Sequence, residues 1–443
     1  MVTQALAMLP PVINQTTAPV PLDPWSAAGF TAIAVASGYL AFRGSPWMLG
    51  VLAFSVPFAG YRDVAHTTIT LEKCVALGTA VGLLLGGAPV WPRSTGTRRV
   101  LLAGAFVLAA IALSAVQAEY RLPVAREFFK EAQYLVLLWC AATIIERTAR
   151  SEVYFAPAVA ASSAIVSTLA ISQAIIGGAP SGILINGHAL PRVAGTSEGP
   201  NQFAGYCESV LPTIWVWPML VASYAPLRNY ANFSTAAALV LSQSRAGIVV
   251  IALAYAALRR WARAAAAAAL VPLCAGAIAG LLVIAGWFII RAHAGWTDFW
   301  HLFLFDIPGQ QQGGVSTRTQ LWPAAVTLFL RHPLTGVGAG NFELLLSTVG
   351  LPGVRTNAGS LPLQTLAEQG LIGFAALVVF ATVALRETYV RRAASPLALA
   401  ACLAFAALLA HQLVDVLFFY PKAAELSFLL LGAGTAARGT SSR

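Results

Sequence analysis

The chain has 443 residues, 58% of them hydrophobic and 10% charged, with a mean hydropathy of +0.74. A soluble globular domain carries roughly 25% charged residues, so this composition excludes one and assigns the chain to a lipid bilayer. The net charge of +10 does not signal nucleic acid, because the basic residues bracket apolar segments as membrane topology requires.

The first 25 residues carry several prolines and no Lys or Arg, so they lack the basic start of a signal peptide. Crossing a bilayer as helix takes about twenty apolar residues. Candidate spans follow at 29–42, 46–60, 72–91, 100–117, 131–146, 153–177, 203–222, 230–243, 246–258, 264–290, 361–385, 397–418 and 423–437. The first two are separated only by Arg43-Gly44-Ser45-Pro46, a tight turn or a kink.

Loop charges orient these spans. Arg93, Arg98 and Arg99 share one loop, and Arg147 and Arg150 another. Arg228 stands alone; Arg259, Arg260 and Arg263 follow, then Arg386, Arg391 and Arg392, and last Arg438 and Arg443. These loops alternate with 118–130, 178–202, 244–245, 291–360 and 419–422. The basic set is expected in the cytoplasm and the second set outside. The fold expected is one all-α polytopic membrane domain over 1–443, of about twelve transmembrane helices. One large extracytoplasmic loop, 291–360, interrupts it.

Long ordered loops are where function tends to sit. This one holds Trp296, Phe299, Trp300, Phe303 and Phe305, which suit a membrane-interface belt or stacking on sugar rings. Gln320 to Arg331 reads as a helix ended by Pro333 and a glycine-rich turn. The five cysteines, Cys74, Cys140, Cys207, Cys274 and Cys402, lie in apolar segments without metal-ligand spacing. They read as small core residues.

Ionisable groups at membrane depth are costly and are the first functional candidates. The outward set of loops is rich in arginine, and three stand out: Arg192 in Pro191-Arg192-Val193-Ala194-Gly195-Thr196, Arg245 in Ser244-Arg245-Ala246-Gly247, and Arg318 in Thr317-Arg318-Thr319-Gln320. Guanidinium binds phosphate oxygens with two parallel hydrogen bonds and stays charged when partly desolvated. Three of them converging suit a diphosphate. Snorkelling to lipid phosphates is the plain alternative for a lone arginine at a helix end, and it fits Arg245 least, because that hairpin barely leaves the membrane.

The intramembrane acids are Glu208, Glu368 and Asp415. Glu208 either pairs with Arg192 or serves as a base. His411 and Asp415, read as i,i+4 neighbours on one helix, form a buried hydrogen bond or part of a proton relay. No H-E-x-x-H, Walker A or dinucleotide fingerprint occurs, and no Asp-x-Asp pair in the loops. No metal and no cofactor is expected. A sugar donor used outside the cell's nucleotide pool would have to be lipid-linked.

Four motifs in order give the chain a familial character. They are Arg192–Thr196 with Pro200-Asn201 and Ala204-Gly205; Ser244-Arg245-Ala246-Gly247; Arg318 with Leu321-Trp322 and His332-Pro333-Leu334-Thr335-Gly336-Val337-Gly338; and Leu363-Gln364-Thr365-Leu366-Ala367-Glu368-Gln369-Gly370-Leu371-Ile372-Gly373. Together, over about residues 190 to 375, they resemble the O-antigen ligase and polymerase superfamily of bacterial envelopes.

The resemblance implies a metal-independent, inverting, C-type glycosyltransferase in the bacterial inner membrane, its site facing the periplasm. Its partners would be a glycan on undecaprenyl diphosphate, an acceptor glycan or lipid A–core, and membrane lipids. The family's diphosphate-binding arginines map onto Arg192, Arg245 and Arg318, and Asn201, His332 and Gln364 fall where acceptor or loop would be positioned. Family members often carry His-Asn just before Leu-Gln, the histidine serving as base or phosphate ligand. Here Gly359 and Ser360 stand there. Glu208, His188, His293 and His301 are the remaining candidates for the base.

Two other classes stay open: a transporter or flippase of an anionic lipid-linked glycan, and a non-catalytic member of a polysaccharide assembly complex. Transporters show inverted repeats and helices broken in both halves, and no such paired pattern occurs in the sequence.

Overall fold

The computed structural model describes residues 22–58, 62–64, 67–185, 188–221, 224–290 and 315–437. His293, His301 and the aromatic cluster between Trp296 and Phe305 lie outside these residues.

Fifteen helices are described: α1 (Pro24–Phe42), α2 (Met48–Ser55), α3 (Leu71–Leu85), α4 (Thr95–Ser114), α5 (Arg121–Arg147), α6 (Glu152–Ile175), α7 (Pro200–Leu220), α8 (Ala225–Leu241), α9 (Arg245–Trp261), α10 (Arg263–Ile290), α11 (Val315–Arg331), α12 (Phe342–Leu345), α13 (Leu361–Arg391), α14 (Pro396–His411) and α15 (Pro421–Ala436). Two antiparallel hairpins, β1 (Arg62–Val64) with β2 (Thr67–Ile69) and β3 (Ser181–Ile185) with β4 (His188–Arg192), lie in the connections. Six of the described helices, α1, α4, α5, α6, α10 and α13, are long and apolar enough to cross a membrane. The protein is therefore a polytopic membrane protein built from helices. The others are shorter or less apolar and pack among these six.

Apolar side chains on every face make a helix a buried one, and α7 is the clearest case: it is buried without interruption from Phe203 to Trp217. It packs on α6, α8, α9, α14 and α15. Helix α15 is equally enclosed from Lys422 to Ala436. Lipid tails are as apolar as leucine, so close contact of backbones has to hold helices together. At Gly82 a Cβ would collide with the Gly38 carbonyl of α1, and at Gly276 one would collide with the Phe233 carbonyl of α8.

The basic loops gather at one end of this bundle. Glu146 accepts from the Arg93 and Ser94 amides at 2.7 and 2.6 Å, the Ser94 hydroxyl donates to the Thr435 carbonyl, and Glu387 binds Arg99 and Arg391 at 2.8 and 2.5 Å. The β3–β4 hairpin, the α8–α9 turn and the start of α13 lie at the other end.

Two expected elements are corrected. The stretch 118–130 is not all loop: α5 begins at Arg121 and runs on through Glu127 and Lys130, which pair at 2.6 Å. The span expected over 397–418 ends at His411, so His411 and Asp415 do not share a helix. Beyond it, side chains take backbone donors that a continuing helix would use. Gln412 Oε1 accepts from the Phe418 amide and Asp415 Oδ1 from the Val416 amide. The freed carbonyls of Gln412 and Asp415 accept from the Leu361 amide, at 2.9 and 3.0 Å, and so anchor the start of α13.

Helix α13 is broken inside its span. Gly370 has φ +64°, ψ −161°, outside helical space. The backbone groups released there pair with the loop after α11. Val337 and Gly338 donate to the carbonyls of Ala367 and Glu368 at 2.9 Å each, and Leu371 and Ile372 donate to those of Pro333 and Leu334 at 2.8 and 3.2 Å. Irregular backbone at membrane depth is tolerated only where protein satisfies it, and these four bonds do so. A Cβ on Gly370 would come within 2.6 Å of the Thr335 nitrogen. Gly370→Ala should therefore lower stability by about 2 kcal/mol or more, from positive-φ strain and overpacking. A thermal melt of the detergent-purified protein checks this, with Gly29→Ala, where a Cβ meets nothing within 4 Å, as the neutral control.

Candidate functional site

The β3–β4 hairpin delivers Arg192 at its last residue, and the strap after it is tied down from several sides. The Gln173 side chain of α6 accepts from the amides of Ala194 and Gly195 and donates to the Gly195 carbonyl. Gln243 donates to the Pro191 carbonyl, the Val193 amide to the Leu241 carbonyl, and Lys422 to the Thr196 carbonyl. Arg245 is the first residue of α9, with Ser244 as its N-cap. Arg318 lies in the first turn of α11. Hairpin, helix start and loop helix are far apart in sequence, and the fold brings their three guanidiniums together.

One carboxylate oxygen joins two of them. Arg192 Nε donates to the Ser242 carbonyl at 3.1 Å, and its Nη2 to Asn201 Oδ1 at 3.2 Å. Asn201 Nδ2 donates to Asp415 Oδ2 at 2.6 Å, and Arg318 Nη2 stands 3.9 Å from that same oxygen. The positive charges of Arg192 and Arg245 repel each other, and so do those of Arg245 and Arg318. Burial holds the Arg192 pKa below the ordinary arginine value, the Arg245 charge lowers it further, and Asp415 opposes both. Arginine stays protonated under such shifts. The starts of α7 and α9 add the positive ends of two helix dipoles.

Lys422 and Tyr420, absent from the sequence expectations, stand at the rim. Lys422 Nζ is 3.7 Å from Glu198 and its side chain is 9% exposed. Burial first, then the nearby carboxylates Asp415, Glu198 and Glu343, push the Tyr420 hydroxyl up to about 12, while its hydrogen bond with Asn357 acts the other way. It is therefore a neutral donor at pH 7. Neither residue carries a motif signal; only the irregular stretch between α14 and α15 turns them toward the arginines.

The other expected residues fall as follows. Glu208 is fully buried and meets His411 Nδ1 at 2.5 Å, so its partner is histidine and not Arg192. His188 is exposed at the start of β4. The His332 carbonyl accepts from the Gly336 amide in the turn that interlocks with α13. Gln364 Oε1 accepts from the Ala358 amide at 2.7 Å while its Nε2 donates to Glu368 at 2.9 Å, and Glu368 accepts from the Phe342 amide at 3.0 Å. Gln364 thus ties the loop carrying Gly359 to α13. Among the described residues no cluster of three His, Cys, Asp or Glu can hold a metal ion.

Residues 230–378 match the family model described as O-antigen ligase. The match to this O-antigen ligase domain spans 149 of the 443 residues. No curated protein matches the chain. The domain's family indicates a function of the O-antigen ligase or polymerase type, with a lipid-linked glycan and an acceptor as substrates in general terms. Arg245, Arg318, the 332–338 turn, Gln364 and Gly370 lie inside the matched residues; Arg192, Asn201, Glu208 and Asp415 lie outside them.

Gly359, at the position where the superfamily often has histidine, has φ +63°, and a Cβ there would come within 3.3 Å of Arg318 Cγ and Nε. Arg318 thus lies across the space that a side chain at 359 would need. Gly359→His is expected to push Arg318 out of the cluster and to lower glycan transfer at least tenfold, rather than to restore a missing group. In-vivo transfer by an inserted, full-length variant measures it, and unchanged or raised transfer would contradict this account of the position.

Proposed function

We propose that the protein transfers a glycan from undecaprenyl diphosphate to a sugar hydroxyl at the outer face of the bacterial inner membrane, as an O-antigen ligase or polysaccharide polymerase. The observation that carries the reading is the gathering of three guanidiniums: Arg192 and Arg318 share Asp415, through Asn201 or directly, and Arg245 lies within repulsive range of both. A diphosphate is an anion whose oxygens and charge suit three guanidiniums. The membrane would be crossed about twelve times, with the site end of the bundle in the periplasm and the basic loops in the cytoplasm. The loop over 291–360 would cover the site.

In the proposed reaction the acceptor oxygen forms a bond to the anomeric carbon, and the bond from that carbon to the phosphate oxygen breaks. The diphosphate leaves with the electron pair. Arg192, Arg245 and Arg318 stabilise the charge that grows on it, which is where preorganised donors lower a barrier most. Attack opposite the leaving group inverts the anomeric centre, and, as the resemblance implies, no metal takes part. We assign the acceptor proton to Asp415: a diphosphate that engages Arg318 frees the carboxylate oxygen that faces it. Glu208, held by His411, supports the wall of the site instead.

One feature favours transfer over translocation. Among the described residues only α13 leaves helical geometry within its span, whereas alternating-access transporters break helices in both halves.

Deletion of the gene followed by gel analysis of surface glycan tests the activity. Loss of all glycan from the lipid anchor identifies a ligase, and single-repeat glycan a polymerase; an unchanged profile argues against both. Complementation with Arg245→Ala or Asp415→Asn should leave the deletion phenotype, because losing one such electrostatic contact costs about 3 kcal/mol, or on the order of 100-fold in rate. Arg245→Lys should also be impaired, since lysine lacks the planar fork. Near-normal glycan from a well-inserted Arg245→Ala protein would sink the mechanism.

A further inference from the structure

At the end of the bundle away from the arginine site, a second group of arginines is placed differently from its neighbours. Arg99, Arg386 and Arg391 all lie within ion-pair distance of Glu387. Arg392 lies over the rings of Trp261 and Tyr389. Arg259, Arg260 and Arg263 are exposed, and among the described residues no carboxylate lies within ion-pair distance of them. Cytoplasmic orientation needs cations in this loop. It does not need all three to line one groove, yet they do.

The groove lies between α9 and α10, has a volume of about 680 Å³ and is open to its surroundings. Its cause is local. The single residue Ala262 joins the two helices, but α10 is drawn toward α8 by the close approach at Gly276 and by the hydrogen bond from Asn232 Nδ2 to the Ala269 carbonyl at 3.0 Å. Tyr255 of α9 spans the gap, donating to the Ala266 carbonyl at 2.9 Å. Beyond the three arginines the lining is Tyr255, alanines and Leu270. Leu270 is 43% exposed and lies about two helical turns from Arg263 toward the membrane interior. The groove is therefore cationic at its mouth and apolar along its depth.

We propose that this groove binds an anionic phospholipid of the surrounding leaflet, its phosphate held by Arg259, Arg260 and Arg263 and one acyl chain lying along Ala267 and Leu270. Charge complementarity selects the headgroup: three unneutralised guanidiniums side by side favour a phosphate, and basic pockets between membrane helices are a recurrent form of lipid recognition. The apolar half selects a lipid over a soluble phosphate, which would leave Ala267 and Leu270 uncovered. This inference concerns the end of the molecule opposite the candidate transfer site and does not rest on the proposed reaction.

Native mass spectrometry of the full-length, detergent-purified protein tests it, with phosphatidylglycerol and phosphatidylcholine added in equal amounts. The wild type should retain one phosphatidylglycerol at least tenfold in preference to phosphatidylcholine. The triple variant Arg259→Gln, Arg260→Gln, Arg263→Gln should lose that preference. A second triple, Arg43→Gln, Arg93→Gln, Arg228→Gln, removes the same charge from arginines outside the groove and should keep the preference within twofold. Ala267→Phe, which fills the apolar half and leaves every arginine in place, should also lose the bound lipid. Equal loss in both triples, or equal retention of the two lipids by the wild type, would overturn the proposal in favour of diffuse surface charge. Displacement of the lipid by millimolar glycerol phosphate would overturn it in favour of a site for a soluble anion. Size-exclusion chromatography identifies any misfolded variant, and Ala267→Phe then decides, since it leaves the charge unchanged.

Discussion

The candidate site depends on an imbalance of charge around Asp415. A single carboxylate oxygen is shared, directly or through Asn201, by Arg318 and Arg192, and Arg245 adds a third positive charge within repulsive range of both. Like charges in a partly desolvated setting repel strongly, so such a cluster persists only if the backbone holding it cannot relax. The strap after β4 is pinned by Gln173, Gln243 and Lys422, and Arg245 is fixed by the turn that starts α9. Rigid anchoring keeps the guanidiniums together.

A second constraint places Arg318 against this cluster. The loop that follows its helix is joined to α13 by four backbone hydrogen bonds across the break at Gly370, and Gln364 holds the loop carrying Gly359 from the same helix. Two sequence motifs about thirty residues apart, one rich in glycine after Pro333 and one centred on Glu368 and Gly370, are the two halves of a single backbone contact. Their glycines are needed because each strand of the contact lies where the other's Cβ would be. The absence of a side chain at Gly359 leaves room for Arg318.

The two ends of the bundle use arginine in opposite ways. At the basic end, Arg99, Arg386 and Arg391 share Glu387 and Arg392 stacks on aromatic rings, whereas Arg259, Arg260 and Arg263 line the α9–α10 groove. At the other end Arg192, Arg245 and Arg318 come together, while Arg331 bonds Thr348 and Arg355 the Glu343 carbonyl. The same residue type thus stands in two different settings, and only spatial context separates them.

Composition and apolar run length determined that the chain spans a bilayer, and charge alternation sorted its loops into two groups, because transfer free energy and loop charge are sums over local residues and need no partner. The arginine candidates were legible for the same reason: a charge beside an apolar span is costly wherever the chain folds. The end of α14 at His411, the pairing of Glu208 with that histidine, and the roles of Lys422 and Tyr420 were not legible. Each is decided by a group more than a hundred residues away, or by side chains competing for backbone donors in one turn, and no local pattern records that competition. The convergence of Arg192, Arg245 and Arg318 belongs to tertiary structure as well. Sequence placed these three cations on one group of loops, but only the packing of the elements that carry them brings them together, because the energy that assembles them is burial of helix faces and not any attraction among the arginines themselves.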